Sequence, residues 1–310
     1  MAAGSSRRSL DFNEIRGFRA EIERDKPLSR LSTLGVGGRA ECYLEPDCRS
    51  DFQTAFELSR GYGFPLYIIG GGSNIVAADG AVPGVVLSTR GWDGASWENN
   101  CVSVKAGCPL SKLAKEAEER GLGGLEFAVG IPGTVGGALS GNAGAGGKGV
   151  CDLLTELTTI EPDGSIKKWN RDEFSYSYRH FSLAGKGCEG RFFVECRLEL
   201  SPKPKEEIAA ERERFMGLRA SQPANERSAG CSFKNPPGDS AGRMLDKCGC
   251  KGMTAGGAVV SERHANFIVN RGGASASDVA SLLRLCRDRV FEEFGVRLEP
   301  ELRFLGFEPF

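Results

Sequence analysis

The chain has 310 residues, of which 40% are hydrophobic and 26% are charged, a composition typical of a soluble protein with about two or three domains. A total of 40 Lys and Arg nearly balances 41 Asp and Glu, for a formal net charge of −1, which argues against nucleic acid or an anionic membrane as a partner. Because no signal-peptide pattern or long apolar stretch occurs, we expect a cytoplasmic protein without membrane insertion.

Glycine and cysteine are the unusual residues. The 43 glycines are about twice the usual share of roughly 7%. The 11 cysteines are scattered, and Cys248 and Cys250 form the only close pair. Neither a Cys-x-x-Cys motif nor a His-rich spacing appears, so we predict reduced thiols and no metal site.

The N-terminal part contains several short elements. Residues 1–27 are polar and mixed, and we expect a partly disordered extension there. A glycine-dense segment at 31–40 leads into a predicted strand at 41–44, and residues 51–62 predict a helix with one apolar side. Leu66 to Ile69 are bulky and apolar, which predicts a short buried strand.

The turn from Gly70 to Asn74 follows this strand directly. Glycines reach positive φ and let successive N–H groups converge on one point, and Ser73 and Asn74 add side-chain donors. We therefore interpret the turn as the binding site for the pyrophosphate of a dinucleotide. A glycine-rich connection between two strands is the alternative.

A second glycine run occupies the middle of the chain. Strands are predicted at 85–88 and 102–105, and a helix from Leu110 ends at Gly121. From Gly121 to Gly149, glycine fills 12 of 29 positions. Helical propensity does not account for this run, and its interleaved apolar residues are unlike a linker, so we expect backbone that lies along a flat ligand; a structural loop is the alternative.

The second half begins with β structure. The pattern predicts a hairpin of strands at 154–160 and 166–169, a strand at 193–200, and a domain boundary at Pro202 and Pro204. Further elements are a charged helix at 208–219, a loop at 228–238, a short helix at 240–248, and strands at 258–260, 267–269 and 298–305. A capping box of Ser275 and Asp278 opens the most regular helix, which extends to Phe294.

Four segments together resemble one family. They are Gly70–Asn74, Gly130–Gly137, Ala229–Pro236 and Leu298–Phe304. Their order and spacing resemble the UDP-N-acetylenolpyruvoylglucosamine reductases, the flavoenzymes that complete UDP-N-acetylmuramate in peptidoglycan synthesis. No single segment is diagnostic, but the set is specific, and the resemblance extends from about residue 31 to residue 305.

The resemblance implies an α+β fold. The family has an FAD-binding domain of two α+β lobes, of the vanillyl-alcohol-oxidase (PCMH) type, and a C-terminal α+β substrate-binding domain. The implied division is an extension at 1–27, an FAD-binding domain at 28–202 with lobes at about 28–92 and 93–202, and a substrate-binding domain at 203–310. A Rossmann dehydrogenase is disfavoured because no Gly-x-Gly-x-x-Gly turn opens a helix.

The resemblance also implies FAD and NADPH as cofactors and a UDP-sugar as substrate. FAD is expected against the two glycine runs. The predicted contacts are Gly70, Gly71, Gly72, Ser73, Asn74, Gly133, Thr134, Gly137, Gly141 and Asn142. We expect a monomer, although composition does not determine the oligomeric state.

Three residues match the family's catalytic positions. Reduction of an enolpyruvyl ether requires a hydride at the methylene carbon and a proton at the carbon that bears the carboxylate. By resemblance, Arg179 binds that carboxylate, Glu301 acts with it on the intermediate, and Cys231 stands where the family has its proton donor, often a serine. A thiol has a reference pKa of about 8.5 and releases a proton more readily than a hydroxyl; Ser232 is the alternative donor.

The resemblance points to four further residues on the substrate side of the site. Asn235 matches a substrate contact of the family, and Lys234 is a candidate phosphate partner. Tyr178 is expected near the pyruvyl group, and His264 aligns with a substrate-side position. Taken singly, most of these residues have a commoner structural role.

The sequence departs from the family at one position and is short at another. Phe181 stands where the family usually has a serine, which puts in doubt a hydrogen bond that orients Arg179. Between Leu200 and Ile208 there is no room for the extra loop that carries a tyrosine in some members, so the chain resembles the shorter type.

Two other functions remain open from the sequence alone. One is another FAD-dependent oxidoreductase of the same fold, such as an oxidase that uses oxygen. The other is a nucleotide-binding module whose glycine loops hold a ligand without turnover.

Overall fold

The computed structural model describes residues 18–185, 187–188 and 190–309. Residues 1–17 of the predicted extension lie outside this range. Within the rest of it, Ile22–Pro27 form strand β1, which pairs antiparallel with Arg39–Leu44. The sequence of this strand shows no alternation of apolar and polar residues that would predict it. Its extended conformation is stabilised by pairing with Arg39–Leu44.

The first lobe is a four-stranded sheet with one helix. Its elements are β1, β2 (Arg39–Leu44), α1 (Arg49–Tyr62), β3 (Leu66–Ile69), β4 (Ile75–Ala77) and β5 (Ala81–Ser88). The sheet order is β1-β2-β5-β3, in which β5 is parallel to both of its neighbours. The apolar side of α1 buries Phe52, Ala55 and Phe56, as its periodicity predicts.

The second lobe is built on a five-stranded antiparallel sheet. Its strands are β6 (Ala95–Glu98), β7 (Cys101–Lys105), β8 (Leu122–Gly123), β9 (Gly144–Ala145), β10 (Lys148–Gly149), β11 (Leu154–Ile160), β12 (Ile166–Asn170), β13 (Phe174–Ser177), β14 (His180–Leu183), β15 (Phe192–Glu199) and β16 (Ser201–Pro202). The sheet order is β12-β11-β15-β7-β6. Helices α2 (Leu110–Glu119) and α3 (Val135–Ser140) belong to the same lobe, and residues of both contribute to its apolar core.

Helix α4 (Lys205–Leu218) packs on this second lobe. Phe215 is fully buried in the same apolar core as Leu113 and Phe127. Lys203, just before α4, forms an ion pair with Glu126 at 3.1 Å. The sequence division assigned α4 to the C-terminal domain because prolines break the chain before it, whereas this packing favours a boundary after the helix.

The C-terminal part has a four-stranded sheet and two helices. Its elements are β17 (Ser228–Cys231), α5 (Ala241–Lys247), β18 (Thr254–Ala255), β19 (Ala258–Val260), β20 (Phe267–Asn270), α6 (Ala276–Phe294) and β21 (Arg303–Leu305). The sheet order is β17-β20-β19-β18. Helix α6 begins at the predicted capping box of Ser275 and Asp278 and ends at Gly295, whose φ is +67°.

The last strand joins the two ends of the chain. β21 pairs in parallel with β4, directly after the first glycine turn. The sequence predicts a strand at 298–305, but β21 covers only its last three residues. The segment before β21 forms a single antiparallel bridge, between Pro300 and Phe233, instead of a continuous strand. Among the described residues, no helix has the length and apolar character of a membrane span.

Candidate active site

The turn from Gly70 to Asn74 presents a row of unpaired amides. None of its five main-chain N–H groups donates a hydrogen bond to another described residue. Gly72 has a φ of +71°, and a Cβ at this position would lie 1.7 Å from the carbonyl oxygen of Leu31. Consecutive free amides in such a turn form an anion-binding concavity, so the geometry suits the pyrophosphate predicted from the sequence.

The second glycine run lies directly against this turn. A Cβ on Gly71 would lie 2.7 Å from the Cα of Gly133, and Ser73 Oγ donates to the carbonyl oxygen of Pro132 at 3.2 Å. The main-chain amides of Gly133 and Thr134 donate to no described residue. The two runs thus require glycine for their own contact, and together they present one surface of free amides.

The run differs from the sequence expectation because part of it is helical. Thr134 caps α3, and its Oγ1 accepts from the Gly137 amide at 3.4 Å. Val135 and Leu139 of this helix are buried in the core of the second lobe. Tertiary packing and the cap therefore offset the low helical propensity of glycine, which does not by itself account for a helix in this run.

The remaining predicted FAD contacts differ in the free space around them; they are Gly137, Gly141 and Asn142. A Cβ on Gly141 would meet no atom within 4 Å, and one on Gly137 would meet only Thr134 Oγ1. By contrast, the Asn142 side chain is committed to the protein: its Nδ2 donates to Ser177 O at 3.0 Å, and its Oδ1 accepts from the Cys151 amide at 3.1 Å. Asn142 therefore links the second glycine run to the β13–β14 hairpin through a hydrogen bond.

That hairpin carries Tyr178 and Arg179 at its turn. Arg179 has a φ of +53°, which is uncommon and costly for a residue with a Cβ. Phe181, at the position of the family's usual serine, is buried and packs against Phe174 and Phe193, both with ring centroids 5.7 Å away. The hydrogen bond that a serine would supply there is therefore absent.

Arg179 is oriented instead by an ion pair with Glu301. Both side chains are largely buried, with relative exposures of 21% and 15%. Burial raises the pKa of Glu301, while the Arg179 guanidinium opposes this shift. The backbone of Glu301 is held on both sides: its amide donates to Ser232 O at 2.9 Å, and its carbonyl oxygen accepts from Asn74 Nδ2 at 2.9 Å.

Cys231 ends β17 beside this pair. Burial and then the Glu301 carboxylate raise the pKa of the thiol to about 12, and the guanidiniums of Arg179 and Arg219 oppose this. The thiol is therefore protonated at neutral pH. The next residue, Ser232, is buried and its hydroxyl has no hydrogen-bond partner among the described residues.

The four substrate-side residues are only partly brought together. Tyr178 is exposed, and its hydroxyl accepts from the Asn235 amide at 3.2 Å. Asn235 Oδ1 accepts from Ala241 at the start of α5, and Lys234 pairs with Glu299 at 3.2 Å. In the described structure, His264 forms no hydrogen bond to these three residues. Its Nδ1 accepts from the Asn266 amide at 3.2 Å, and burial lowers its pKa.

Three arginines near the site were not among the sequence candidates. Arg90 donates to Gly71 O at 3.0 Å and to Leu31 O at 2.7 Å, which holds the first glycine turn. Arg303 donates to Ser140 O at the end of α3, at 3.1 Å. Arg219 affects Cys231 and Arg179 through its charge. Of the three, only Arg303 lies in one of the four segments that resemble the family. No local sequence pattern distinguishes Arg90 or Arg219 from a surface arginine.

The described residues were also compared with the requirements of a metal site and of disulfide bonds. In the described ranges, no group of three His, Cys, Asp or Glu side chains is arranged to hold a metal ion. All 11 cysteines are described and are free thiols.

Two family models match separate parts of the chain. A family model described as "FAD binding domain" matches residues 40–170, and one described as "UDP-N-acetylenolpyruvoylglucosamine reductase, C-terminal domain" matches residues 222–305. The second match begins after α4, in agreement with the packing of that helix.

Two relatives and one solved structure are similar over most of the chain. UDP-N-acetylenolpyruvoylglucosamine reductase 2 of Symbiobacterium thermophilum is 40% identical over 292 residues, which cover 93% of each protein. The reductase of Moorella thermoacetica is 40% identical over 94% of this chain and 95% of its own length. The crystal structure of the Thermus caldophilus reductase is 36% identical, with a TM-score of 0.79, over 93% of this chain and 100% of that one.

Proposed function

The chain belongs to the family of UDP-N-acetylenolpyruvoylglucosamine reductases, and we propose that it reduces the enolpyruvyl ether of that nucleotide sugar to UDP-N-acetylmuramate with NADPH as the reductant. Family membership confirms the resemblance that four sequence segments indicated, together with the α+β fold and the class of FAD-dependent oxidoreductase in peptidoglycan precursor synthesis. The use of NADPH and the role of each residue are part of the proposal.

The observation that carries the proposed mechanism is the ion pair of Arg179 and Glu301 beside the Cys231 thiol. Arg179 binds and orients the substrate carboxylate, on which negative charge develops during the reaction. Glu301 forms an ion pair with Arg179, and burial shifts its pKa upward, toward the neutral form that can donate a hydrogen bond to the same oxygens.

Cys231 is the proposed proton donor. A thiol whose pKa is about 12 is fully protonated at neutral pH, so the proton is in place before the substrate arrives. Ser232 is the alternative donor, and its buried hydroxyl has no hydrogen-bond partner among the described residues. The S–H bond breaks as a C–H bond forms at the carbon that bears the carboxylate.

The two glycine runs are the proposed FAD site. The free amides from Gly70 to Asn74 hold the pyrophosphate, and Gly133, Thr134, Gly137 and Gly141 supply backbone contacts. The Asn142 side chain is not free to contact FAD. It contributes instead by its hydrogen bond to the hairpin that carries Arg179. Bound FAD, once reduced, supplies the hydride for the methylene carbon.

The remaining assignments concern the substrate and the state of the protein. Tyr178, Lys234 and Asn235 form the proposed substrate side, with Lys234 as a phosphate partner if it leaves Glu299. His264 is proposed as a neutral hydrogen-bonding residue of the same side. We propose a cytoplasmic monomer, in keeping with 11 free thiols.

A two-step anaerobic titration of the purified holoenzyme tests the function. NADPH is expected to bleach the flavin absorbance, and the enolpyruvyl nucleotide is expected to restore it without oxygen. UDP-N-acetylglucosamine, which lacks the enolpyruvyl group, serves as the control ligand and is expected to restore nothing. Recovery only on admission of air would instead indicate an oxidase of the same fold.

A further inference from the structure

Thr33 joins the first glycine turn to strand β17. It lies in the loop that leads to β2, where it is exposed. Its main-chain amide donates to Gly72 O at 3.0 Å, and its Oγ1 donates to Ser228 O at 2.6 Å. Oγ1 also lies 3.4 Å from Gly72 O, but a hydroxyl has a single proton, and the bond to Ser228 is the shorter one. Thr33 therefore binds the turn through its main chain and β17 through its side chain.

The glycine turn is held by its carbonyl groups. Gly71 O accepts from Arg90 at 3.0 Å. Gly72 O accepts from the Thr33 amide. The five main-chain amides of residues 70–74 donate to no described residue, so they stay free for the pyrophosphate that is proposed to bind there. Thr33 thus orients the turn without occupying a group that the cofactor would use.

Strand β17 lies beside the same turn. Its pairing with β20 has a register shift between Ser228 and Cys231, and Gly230, within this irregular part, has a φ of +81°. A Cβ at Gly230 would lie 3.9 Å from Ser73 O. The segment that ends in Cys231 therefore passes the glycine turn at van der Waals distance.

Both ends of this segment are attached to the turn. The first attachment is the bond from Thr33 to Ser228. At the other end, Ser232 O accepts from the Glu301 amide at 2.9 Å, and the Glu301 carbonyl oxygen is bound by the last residue of the turn. Cys231 lies between the two attachments. The position of its thiol relative to the turn therefore depends on both of them.

We propose that Thr33 is a positioning residue for proton transfer: its hydroxyl holds β17 so that the Cys231 thiol lies at the carbon that bears the carboxylate when the cofactor is bound at the turn. This inference rests on the proposed function. Thr33 itself exchanges no proton, since the S–H bond that breaks is that of Cys231. A displacement of about 1 Å at the reacting atoms can slow a reaction by about 10²-fold, so a bond three residues from the thiol is close enough to affect the rate.

Thr33→Val removes the hydroxyl and keeps both the β-branched shape and the main-chain amide. In single-turnover experiments on the holoenzyme, reoxidation of the pre-reduced flavin by the enolpyruvyl nucleotide is expected to slow by about 10-fold. Reduction by NADPH and the dissociation constant of FAD should change by less than about twofold, because the bond to Gly72 remains. Thr33→Ser keeps the hydroxyl and should restore the parent rate to within about threefold.

Thr54→Val is the matched control. Thr54 Oγ1 donates to Ser50 O at 2.9 Å on α1, so this variant also loses one bond from a threonine hydroxyl to a carbonyl oxygen. It should react like the parent in both half-reactions. Urea denaturation should show that Thr33→Val and Thr54→Val unfold at similar urea concentrations.

The solvent deuterium isotope effect on reoxidation separates positioning from a general loss of structure. If the thiol is displaced, proton transfer becomes the slower part of the reaction. The isotope effect is then expected to be about 1.5-fold or more larger in Thr33→Val than in the parent. Thr33→Ser and Thr54→Val should show the isotope effect of the parent.

Each result has a defined meaning. Slower reduction by NADPH together with weaker FAD binding in Thr33→Val would assign Thr33 to the folding of the cofactor turn and overturn the proposal. Unchanged reoxidation, an unchanged isotope effect, or a Thr33→Ser variant as slow as Thr33→Val would overturn it as well. A parent enzyme whose reduced flavin is reoxidised only by air would refute the proposed function, and this inference with it.

Discussion

Asn74 Nδ2 donates a hydrogen bond to the carbonyl oxygen of Glu301 at 2.9 Å. A second bond runs from the Arg303 amide to Asn74 O at 3.0 Å. The last residue of the first glycine turn is thereby fixed to the segment that carries the proposed catalytic carboxylate. We therefore expect the proposed cofactor binding at this turn to be coupled to the position of Glu301 through these two bonds.

Asn74→Ala tests this coupling. Loss of the side-chain bond is expected to cost about 1 kcal/mol of unfolding free energy and to slow substrate-dependent flavin reoxidation by about 10-fold. Asn100→Ala removes a similar bond, from Asn100 Nδ2 to Leu200 O at 3.0 Å, away from the site. Chemical denaturation and stopped-flow absorbance should therefore show similar stability losses but a slower reaction only in Asn74→Ala. Equal reoxidation rates in the two variants would refute the coupling.

Gly72→Ala is expected to destabilise the protein by about 2 kcal/mol or more, because it combines positive φ with overlap on Leu31 O. Gly164→Ala is the control, since Gly164 has a φ of +84° but an added Cβ would meet nothing within 4 Å. The control should lose about 1 kcal/mol. Urea denaturation gives both values, and a Gly72 variant no less stable than the Gly164 variant would contradict the close approach at the turn.

Gly141→Ala separates ligand contact from folding. A Cβ at Gly141 meets open space in the protein, so the unfolding free energy of the apoprotein should change by less than about 0.5 kcal/mol. If FAD lies against this backbone, its dissociation constant should rise by about 10-fold. Gly61→Ala, equally open but on α1, should leave FAD affinity unchanged. Identical FAD affinities in the two variants would remove Gly141 from the cofactor site.

The sequence predicted the parts of the molecule whose signals are local. Helices α1, α2 and α6 follow from apolar periodicity and from caps such as Ser275. The glycine turn at Gly72 follows from residue type, and its positive φ explains that choice. Family resemblance supplied Arg179, Cys231 and Glu301 as catalytic residues. They come from distant parts of the chain, and no local pattern would join them.

The features that the sequence did not predict depend on tertiary contacts. Helix α3 forms in a glycine-rich run because Thr134 caps it and Leu139 is buried. Strand β1 exists because β2 pairs with it. Arg219 was overlooked because a single arginine after a charged helix resembles a surface residue, and only the folded chain shows its buried Nε.

The raised pKa of Cys231 gives a pH prediction. Because the thiol is protonated below a pKa of about 12, its alkylation rate should rise about tenfold per pH unit from pH 8 to pH 11 rather than level off near the reference value of about 8.5. Glu301→Gln removes the carboxylate that raises this pKa and should speed alkylation at pH 9 by roughly 3- to 10-fold.

Glu299→Gln is the control for this measurement, because its carboxylate is exposed and pairs with Lys234. It should leave the alkylation rate of Cys231 within about twofold of the parent. A rate that levels off near pH 9 in the parent protein would show that the thiol is not shielded by burial and by Glu301.

Single-turnover reoxidation of the pre-reduced flavin by the enolpyruvyl nucleotide, compared among the parent, Cys231→Ser and Cys231→Ala, tests the central claim most directly. Reduction by NADPH should be similar in all three proteins, and Cys101→Ala, another partly exposed thiol, should react like the parent. The account predicts that the Ser variant retains turnover and that the Ala variant loses about 10²- to 10⁴-fold. Equal reoxidation rates in the Ala variant and the parent would contradict it and remove Cys231 from the reaction.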